Sequence, residues 1–244
     1  MSEQQKPTLF TCLSPALLNL YEVKDSIIVI IDVLRATSTI ATALHNKAKC
    51  VIPVDSVQEC VRLGNQMDAI TAGERDGQIA EGLQHGNSPF EYTEAFAGGK
   101  TIVLTTTNGT KLLHMALQQG ASNIITGSFV NISSVCNYLV AQNKNVILGC
   151  AAWKDKVNIE DTIFAGAVIE RIGERFNSNC DASYGALNLY QQAKPNIIEY
   201  IKPTSHYKRL AGFNLHADLE FCFTNDAANT LPIYNDGRLT AYKH

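Results

Sequence analysis

Side chains that could perform chemistry follow the most apolar run of the chain. Residues 27–31 read Ile-Ile-Val-Ile-Ile, and Asp32, Arg35 and the triplet Thr37-Ser38-Thr39 come directly after them. A carboxylate in such a place can hold a hard metal ion or attack phosphorus, and a guanidinium binds an oxyanion through its planar fork. Hydroxyl residues at a helix start add donors for the same anion. The segment therefore predicts an anion site, and an Asp–Arg pair that closes a strand-to-helix turn is the structural alternative.

Similar polar clusters follow later apolar runs. Glu74 and Arg75 come after the run 69–72 and open a long connection rich in glycine and charge, which is typical of a functional loop. Glu74 is the candidate general acid or base, and Arg75 is a second cationic fork. The candidate phosphate-binding or substrate-binding residues in these later clusters are Asn87, Asn108, Gly109, Thr110 and Ser128. For the Asn-Gly pair, a capped turn is the structural alternative.

Two further carboxylates stand at the start of the last long helix of the pattern. Glu160 and Asp161 could satisfy the helix dipole alone, or they could join Asp32 as metal ligands. Carboxylates, hydroxyls and two arginines at one sheet edge suit Mg²⁺ together with an oxyanion, because Mg²⁺ takes a few carboxylates and completes its shell with water and substrate oxygens. We therefore expect a magnesium site formed by Asp32, Glu160 and Asp161.

The elements that must position these residues alternate between strand and helix. The predicted strands are 27–31, 50–54, 69–72, 101–104, 123–126 and 146–150, and the predicted helices are 37–46, 56–67, 109–118, 131–142 and 159–176. Repeated β-α units with short strands require right-handed crossovers, which indicates an α/β protein with a largely parallel sheet between helices. The pattern changes after Asn177. We expect residues 1–244 to form a single domain, whose C-terminal segment caps the sheet or forms a second lobe with the site in the cleft.

Composition excludes several classes of function. The net charge is −3 and no basic stripe appears, so nucleic acid is not an expected partner. The apolar runs are strand-sized and residues 1–6 are polar, which predicts neither a membrane span nor a signal peptide and favours a cytoplasmic location. The seven cysteines include no C-x-x-C pair, so the sequence predicts neither a disulfide framework nor a zinc-binding site. His85 and His206 lie near polar clusters, but without metal-ligand spacing they are interpreted as ordinary surface or core residues.

Common phosphate-binding and hydrolase motifs do not match. The sequence has no G-x-x-x-x-G-K-[ST], no G-x-G-x-x-G after a strand and no G-x-S-x-G. The segment after the first strand lacks the second acid of the haloacid-dehalogenase phosphatases, and Cys150 lacks the arginine spacing of a cysteine-based phosphatase.

Taken together, the polar clusters resemble the family of 2-phosphosulfolactate phosphatases, the ComB-like proteins. The matching segments are IDVLRATST (31–39), AGER (72–75), GNSP (86–89), TTTNGT (105–110), GSFVN (127–131) and ED (160–161), with a weaker match at 218–222. The resemblance implies a Mg²⁺-dependent phosphatase that converts 2-phospho-3-sulfolactate to sulfolactate and phosphate, on a route to coenzyme M. It also implies α/β layers around a cleft.

This resemblance gives the candidate residues their expected roles. Asp32, with Glu160 and Asp161, anchors Mg²⁺ or itself attacks phosphorus, and Arg35 and Arg75 neutralise the phosphoryl oxygens. One phosphate needs a single bidentate clamp, so the second arginine is expected to hold a carboxylate or sulfonate of the substrate. The expected partner is a small anionic phosphomonoester, and a homodimer is compatible with the sequence. A non-catalytic sensor of anionic metabolites would use the same arginines and is the alternative.

Overall fold

The structure is a computed structural model that describes residues 6–75 and 77–243. The polar residues 1–5, part of the segment that predicts the absence of a signal peptide, lie outside this range. The strands are β1 (Leu9–Cys12), β2 (Ser26–Ile31), β3 (Cys50–Pro53), β4 (Ile70–Arg75), β5 (Gln78–Ile79), β6 (Thr101–Thr105), β7 (Asn123–Gly127), β8 (Asn145–Cys150), β9 (Pro232–Asn235) and β10 (Arg238–Ala241). The α-helices are α1 (Ala36–His45), α2 (Val57–Met67), α3 (Glu94–Ala97), α4 (Gly109–Gln118), α5 (Ile132–Gln142), α6 (Ile159–Ile172), α7 (Asp181–Ala193), α8 (Ile197–Ile201), α9 (Ser205–Ala211) and α10 (His216–Cys222).

All these strands belong to one sheet flanked by helices, which confirms the predicted fold class. The ten strands have the order β1-β8-β2-β7-β9-β10-β3-β6-β4-β5. Strands β1, β8, β2 and β7 form one parallel group, and β3, β6 and β4 form another. The hairpin β9–β10 joins the two groups through antiparallel pairings, so the groups run in opposite directions along the sheet.

The central strand β2 is buried on both faces, as its unbroken apolar run predicts. Ile27, Val29 and Ile31 pack into one hydrophobic cluster, while Ile28 and Ile30 pack into another on the opposite face. Burial of each such side chain stabilises the fold by about 1.5–3 kcal/mol. Because β2 is held on both faces, the residue that follows it emerges at a fixed point of the sheet edge.

Most predicted elements end within a residue or two of their observed bounds, and helix α4 matches its prediction. The helix predicted over 159–176 is shorter, because it stops at Ile172 and a short 3-10 turn begins at Gly173. Glycine is a poor helix former, and Phe176 beyond it leaves the helical conformation with its side chain buried. None of the helices formed by residues 6–75 and 77–243 combines the length and apolarity that a bilayer span requires.

The C-terminal segment contributes both to the sheet and to its cover. Helix α7 packs along α6, and α9 packs against α10. The last two strands enter the middle of the sheet through a tight turn at Asp236-Gly237, where φ is 48° and 81°. Asp-Gly with positive φ at both positions is the preferred sequence of a two-residue hairpin turn. The tail that sequence analysis expected to cap the sheet or form a second lobe thus also supplies the link between its two halves.

Candidate active site

A cleft of about 310 Å³ collects polar side chains from distant parts of the chain. Strands β2, β4 and β8 each contribute residues at or just beyond their carboxyl ends, and so does the loop after β6. The tail contributes residues of helix α9. The cleft is lined by Asp32, Leu34, Arg35, Glu74, Gly77, Asn87, Asn108, Trp153, His206, Arg209 and Leu210.

Asp32 faces the start of helix α4. The backbone N–H of Gly109 donates to the Asp32 carboxylate, and a Cβ built on Gly109 would lie 3.0 Å from Asp32 Oδ2. A side chain at position 109 would therefore crowd the carboxylate, which accounts for the glycine. The N-terminus of α4 at Asn108-Gly109 was predicted to bind a substrate anion. In the structure, it lies against the carboxylate of Asp32.

The Asp32 carboxyl is 7% exposed, and its surroundings raise its pKa from 3.8 to about 6. Burial is the main cause, because it disfavours the charged form. The carboxylates of Glu74 and Glu160 raise the pKa further, while His206 and the Gly109 N–H lower it. A carboxyl whose charge is this costly, in a cleft with a second acid, is typical of a functional group.

Arg35 is held rigidly beside Asp32. Its guanidinium forms a buried ion pair with Asp218 of α10 and donates to the carbonyl of Gly77 at 3.2 Å. Asp218 also accepts a hydrogen bond from Ser88 Oγ at 2.9 Å. Arg35 thus pairs with Asp218 of the tail, whereas the structural alternative to an anion site paired it with Asp32. These contacts leave further guanidinium donors in the cleft for an oxyanion.

Glu74 accepts several hydrogen bonds while lining the cleft. Its Oε1 accepts from the Thr107 N–H at 3.1 Å and from Thr107 Oγ1 at 2.9 Å, and its Oε2 accepts from the Gly77 N–H at 2.9 Å. Three hydrogen bonds therefore fix the position of this one carboxylate. This environment suits a cation ligand better than a general acid.

Arg75 lies outside the set of residues that line the cleft. Its guanidinium donates to the carbonyl of Glu74 at 2.7 Å and to Thr105 Oγ1 at 3.1 Å. These local bonds direct Arg75 towards its own strand and the neighbouring β6. The structure therefore does not bring Arg75 together with Arg35 in the cleft.

The predicted hydroxyl ligands are buried and bonded to backbone carbonyls. The bonds are Thr37 Oγ1 to Asp32 O (2.9 Å), Ser38 Oγ to Val33 O (2.8 Å), Thr39 Oγ1 to Asn87 O (2.9 Å) and Thr110 Oγ1 to Thr106 O (2.8 Å). The Thr37 N–H is also engaged, with Asp32 O at 3.0 Å. These groups shape the loops around the cleft and do not line it.

The remaining predicted binding residues divide between the cleft and the interior. Asn87 and Asn108 line the cleft, and Asn87 Oδ1 is buried without a hydrogen-bond partner among residues 6–75 and 77–243. Asn108 Oδ1 accepts from the Lys154 N–H at 3.4 Å. Ser128 lies outside the cleft, and its N–H donates to Asn131 Oδ1 at 2.9 Å. Ser128 Oγ is likewise buried without a partner among the described residues, so Asn87 is distinguished by combining an unused acceptor with a place in the cleft.

Glu160 and Asp161 lie behind the cleft. Asp161 Oδ1 accepts from the Val33 N–H at 3.0 Å and Oδ2 accepts from the Ala152 N–H at 3.3 Å, so this carboxylate ties the ends of β2 and β8 together. Burial raises the pKa of Asp161, and the carboxylates of Glu160 and Asp32 raise it further. Glu160 pairs with His206.

These contacts bear on the predicted magnesium site. Within the described part of the chain, no group of three or more His, Cys, Asp or Glu side chains is arranged to hold a metal. Mg²⁺ commonly uses one or two carboxylates and takes its other ligands from water and substrate phosphate. Asp32 and Glu74, both in the cleft, offer such a pair. The donor set therefore fits Mg²⁺ at Asp32, with Glu74 in the place that sequence analysis assigned to Glu160 and Asp161.

Three cleft residues were not found by sequence analysis. His206 is buried in the cleft with its Nδ1 against Glu160 Oε1, so its interpretation as an ordinary histidine misses this environment. Its ring stacks on Trp153 with centroids 6.1 Å apart, and the Arg209 guanidinium lies 3.6 Å from the centre of the same indole. His206 and Arg209 are three positions apart on a helix, the spacing that places side chains on one face. That spacing was the available signal.

A sequence model of the 2-phosphosulpholactate phosphatase family matches residues 12–237. The chain belongs to this family. It is 38% identical over 221 residues to a probable 2-phosphosulfolactate phosphatase of Caldanaerobacter subterraneus, which covers 88% of this chain and 90% of that protein. Proteins with the same name are 39% identical over 209 residues in Thermotoga maritima (86% of this chain, 89% of that protein) and 37% identical over 223 residues in Picosynechococcus (88% and 91%).

The family match also covers the C-terminal helices, where the sequence motifs gave only the weaker match at 218–222. It extends through α9 and α10, which carry His206, Arg209 and Asp218. In this member of the 2-phosphosulpholactate phosphatase family, the tail is thus part of the cleft as well as part of the matched region.

Proposed function

We propose that this protein is a phosphatase that hydrolyses 2-phospho-3-sulfolactate, or a similar small phosphomonoester with a second anion, to sulfolactate and phosphate. The observation that carries the proposal is the meeting of two carboxylates, Asp32 and Glu74, with two guanidinium groups, Arg35 and Arg209, in one cleft. The names of the family and of the relatives support the same substrate. On this proposal the protein acts in the cytoplasm, on a step towards coenzyme M, and the homodimer stays a prediction.

Arg35 binds the phosphoryl group in this account. It lines the same cleft as Asp32 and Glu74, so an anion at its guanidinium shares that cleft with both carboxylates. The ion pair with Asp218 fixes the side chain before the substrate arrives, and donors that are already oriented need no reorganisation as charge shifts in the transition state. The side-chain amide of Asn87 lines the same cleft.

Asp32 and Glu74 are the residues that would hold Mg²⁺. When bound, the ion would neutralise phosphoryl oxygens and lower the pKa of a coordinated water. The raised pKa of Asp32 reflects repulsion from neighbouring carboxylates as well as burial, and a cation at this point would relieve that repulsion. Glu160 and Asp161 do not line the cleft, and their oxygens contact His206 and the backbone N–H groups of Val33 and Ala152.

His206 is the residue that we assign to protonation of the leaving oxygen. Glu160 contacts its Nδ1 and thereby fixes the orientation of the ring, in the way that a carboxylate orients a catalytic histidine. The ring also packs on Trp153. Glu74, the general acid or base of the sequence-based hypothesis, is better placed as a ligand, because three hydrogen bonds hold its carboxylate in a fixed position in the cleft.

The proposal is tested by phosphate release from a panel of phosphomonoesters, measured with Mg²⁺ and with a chelator. We expect release from 2-phospho-3-sulfolactate, phospholactate and phosphoglycolate to exceed release from esters with neutral tails, and the chelator to abolish it. Tight binding of these anions without release, whatever the divalent metal, would contradict the phosphatase and favour the anion sensor.

A further inference from the structure

We propose that Arg209 is the residue that recognises the second anion of the substrate. This inference rests on the proposed phosphatase function and assigns its specificity to a helix of the C-terminal tail. The second clamp expected from sequence was Arg75, but Arg75 does not belong to the residues that line the cleft. Arg209 lines the same cleft as Arg35 and therefore supplies the second fork.

Arg209 is oriented by an aromatic surface. Its guanidinium carbon lies 3.6 Å from the centre of the Trp153 ring, which is a stacking distance. Stacking engages the face of the guanidinium and fixes its plane against the indole, and a planar guanidinium is the group that matches a carboxylate or sulfonate. A lysine has no such plane, so the arrangement is specific to arginine.

Trp153 is itself held in place by the backbone. The N–H of Trp153 donates to the carbonyl of Lys156, and the N–H of Lys156 donates to the carbonyl of Trp153, both at 2.9 Å. The turn between them has φ of 49° at Lys154 and 62° at Asp155. Directly before it, the Ala152 N–H is bonded to Asp161. The indole is therefore a rigid platform at the end of β8, and Arg209 is positioned before substrate binds.

Arg35 and Arg209 come from different elements of the fold, and this difference assigns the phosphoryl group to Arg35 and the second anion to Arg209. Arg35 belongs to the same loop as Asp32, so the phosphoryl group that must meet the carboxylates lies at Arg35. Arg209 belongs to α9, which is distant in sequence from both Asp32 and Glu74. A single phosphate needs one bidentate fork, and a second fork in the same cleft therefore points to a second anion on the same substrate.

The test compares Arg209→Met and Arg209→Lys with wild type and with Lys208→Met, a matched control at an exposed position of the same helix. The substrates are phosphoglycolate, with a carboxylate tail, the phosphate ester of 2-hydroxyethanesulfonate, with a sulfonate tail, and ethyl phosphate, with a neutral tail. We expect the preference in kcat/KM for either anionic tail over ethyl phosphate to fall by about 10–100-fold in Arg209→Met, since bonds to charged groups are lost. Arg209→Lys should lose part of this preference, and Lys208→Met should keep all of it.

A preference in Arg209→Met equal to that of wild type, for both anionic tails, would overturn the inference. Loss with one tail only would identify the anion that Arg209 binds. Binding of sulfolactate, measured by calorimetry, separates this inference from the proposed function, because it requires no turnover. At least about tenfold weaker binding by the folded variants supports Arg209 even if no ester is hydrolysed. Equal binding by wild type and variants overturns the role of Arg209 even if phosphate release proceeds.

Discussion

The carboxylate of Asp218 forms a buried ion pair with the guanidinium of Arg35, although the two residues are 183 positions apart. Their side chains are only 7% and 4% exposed. Asp218 thereby ties α10 of the tail to the loop that follows β2, and it fixes the arginine that we assign to the phosphoryl group.

Asp218→Asn should destabilise the protein by about 3–5 kcal/mol, because it leaves the buried charge of Arg35 uncompensated. Chemical denaturation measures this loss. Glu199→Gln is the matched control: it breaks an exposed pair with Lys202 and should cost less than about 1 kcal/mol. Equal effects of the two substitutions would show that the Arg35–Asp218 pair does not hold the tail.

How far sequence could predict this site follows from where each residue lies. Asp32, Arg35 and Glu74 come at the ends of buried strands, and a polar group in that position must emerge at the sheet edge. The sequence also predicts a carboxylate site for Mg²⁺, because Mg²⁺ prefers carboxylate ligands. Residue spacing could not show that both Asp161 oxygens accept hydrogen bonds from backbone N–H groups. The spacing of His206 and Arg209 indicates a shared helix face, but the contact of that face with Trp153 depends on tertiary packing, which the local sequence does not encode.

The fold, like the site, has features that local sequence predicts and features that it does not. Runs of β-branched residues that alternate with amphipathic helices predict the strands, the helices and a largely parallel sheet, because those depend on local periodicity and on right-handed crossovers. They do not predict that the sheet divides into two groups that run in opposite directions. The Asp236-Gly237 turn closes the hairpin of β9 and β10. The place of β9 and β10 between β7 and β3 depends on pairings across more than 100 positions, and local propensity carries no information about these.

Asp32→Asn should stabilise the metal-free protein at neutral pH. The Asp32 carboxyl has a pKa of about 6 in the folded protein and an ordinary value of 3.8. Between about pH 4 and 6 the unfolded state therefore loses this proton more readily than the folded state, and the folded state loses stability as pH rises. Asparagine mimics the protonated form. In urea denaturation with a chelator, we expect a gain of about 1–3 kcal/mol at pH 7.5 and almost none at pH 4.

The control for this effect is Asp25→Asn, which removes an exposed carboxylate and should show no comparable gain. A loss of several kcal/mol in Asp32→Asn at pH 7.5 would instead assign Asp32 to a structural ion pair.

Glu74 and Asp161 should differ in their effect on Mg²⁺. Glu74→Gln should weaken Mg²⁺ binding by about tenfold or more, because it removes a proposed ligand. Asp161→Ala should destabilise the protein by about 2–4 kcal/mol, because two buried N–H groups lose their acceptor, while the folded protein keeps its affinity within about threefold. Calorimetric titration measures both. Weaker Mg²⁺ binding in Asp161→Ala than in Glu74→Gln would restore Asp161 as the ligand.

His206→Gln should slow turnover according to the leaving group. For alkyl phosphomonoesters, whose leaving oxygen needs a proton, kcat should fall by about 10²–10⁴-fold. For p-nitrophenyl phosphate, whose leaving group departs as the anion, the fall should be less than about tenfold. His45→Gln, at an exposed histidine that contacts Thr230, is the control and should leave both rates unchanged. Equal losses on the two substrates would exclude His206 as the proton donor.

The central claim is that phosphate leaves the substrate in the cleft that contains Asp32. The most direct measurement is the rate of inorganic phosphate release from 2-phospho-3-sulfolactate with Mg²⁺, compared between wild type and Asp32→Asn at equal concentrations of folded protein. The account predicts release by wild type and a loss of several orders of magnitude in the folded Asp32→Asn variant. Undiminished release by Asp32→Asn, or no release by wild type, would contradict it.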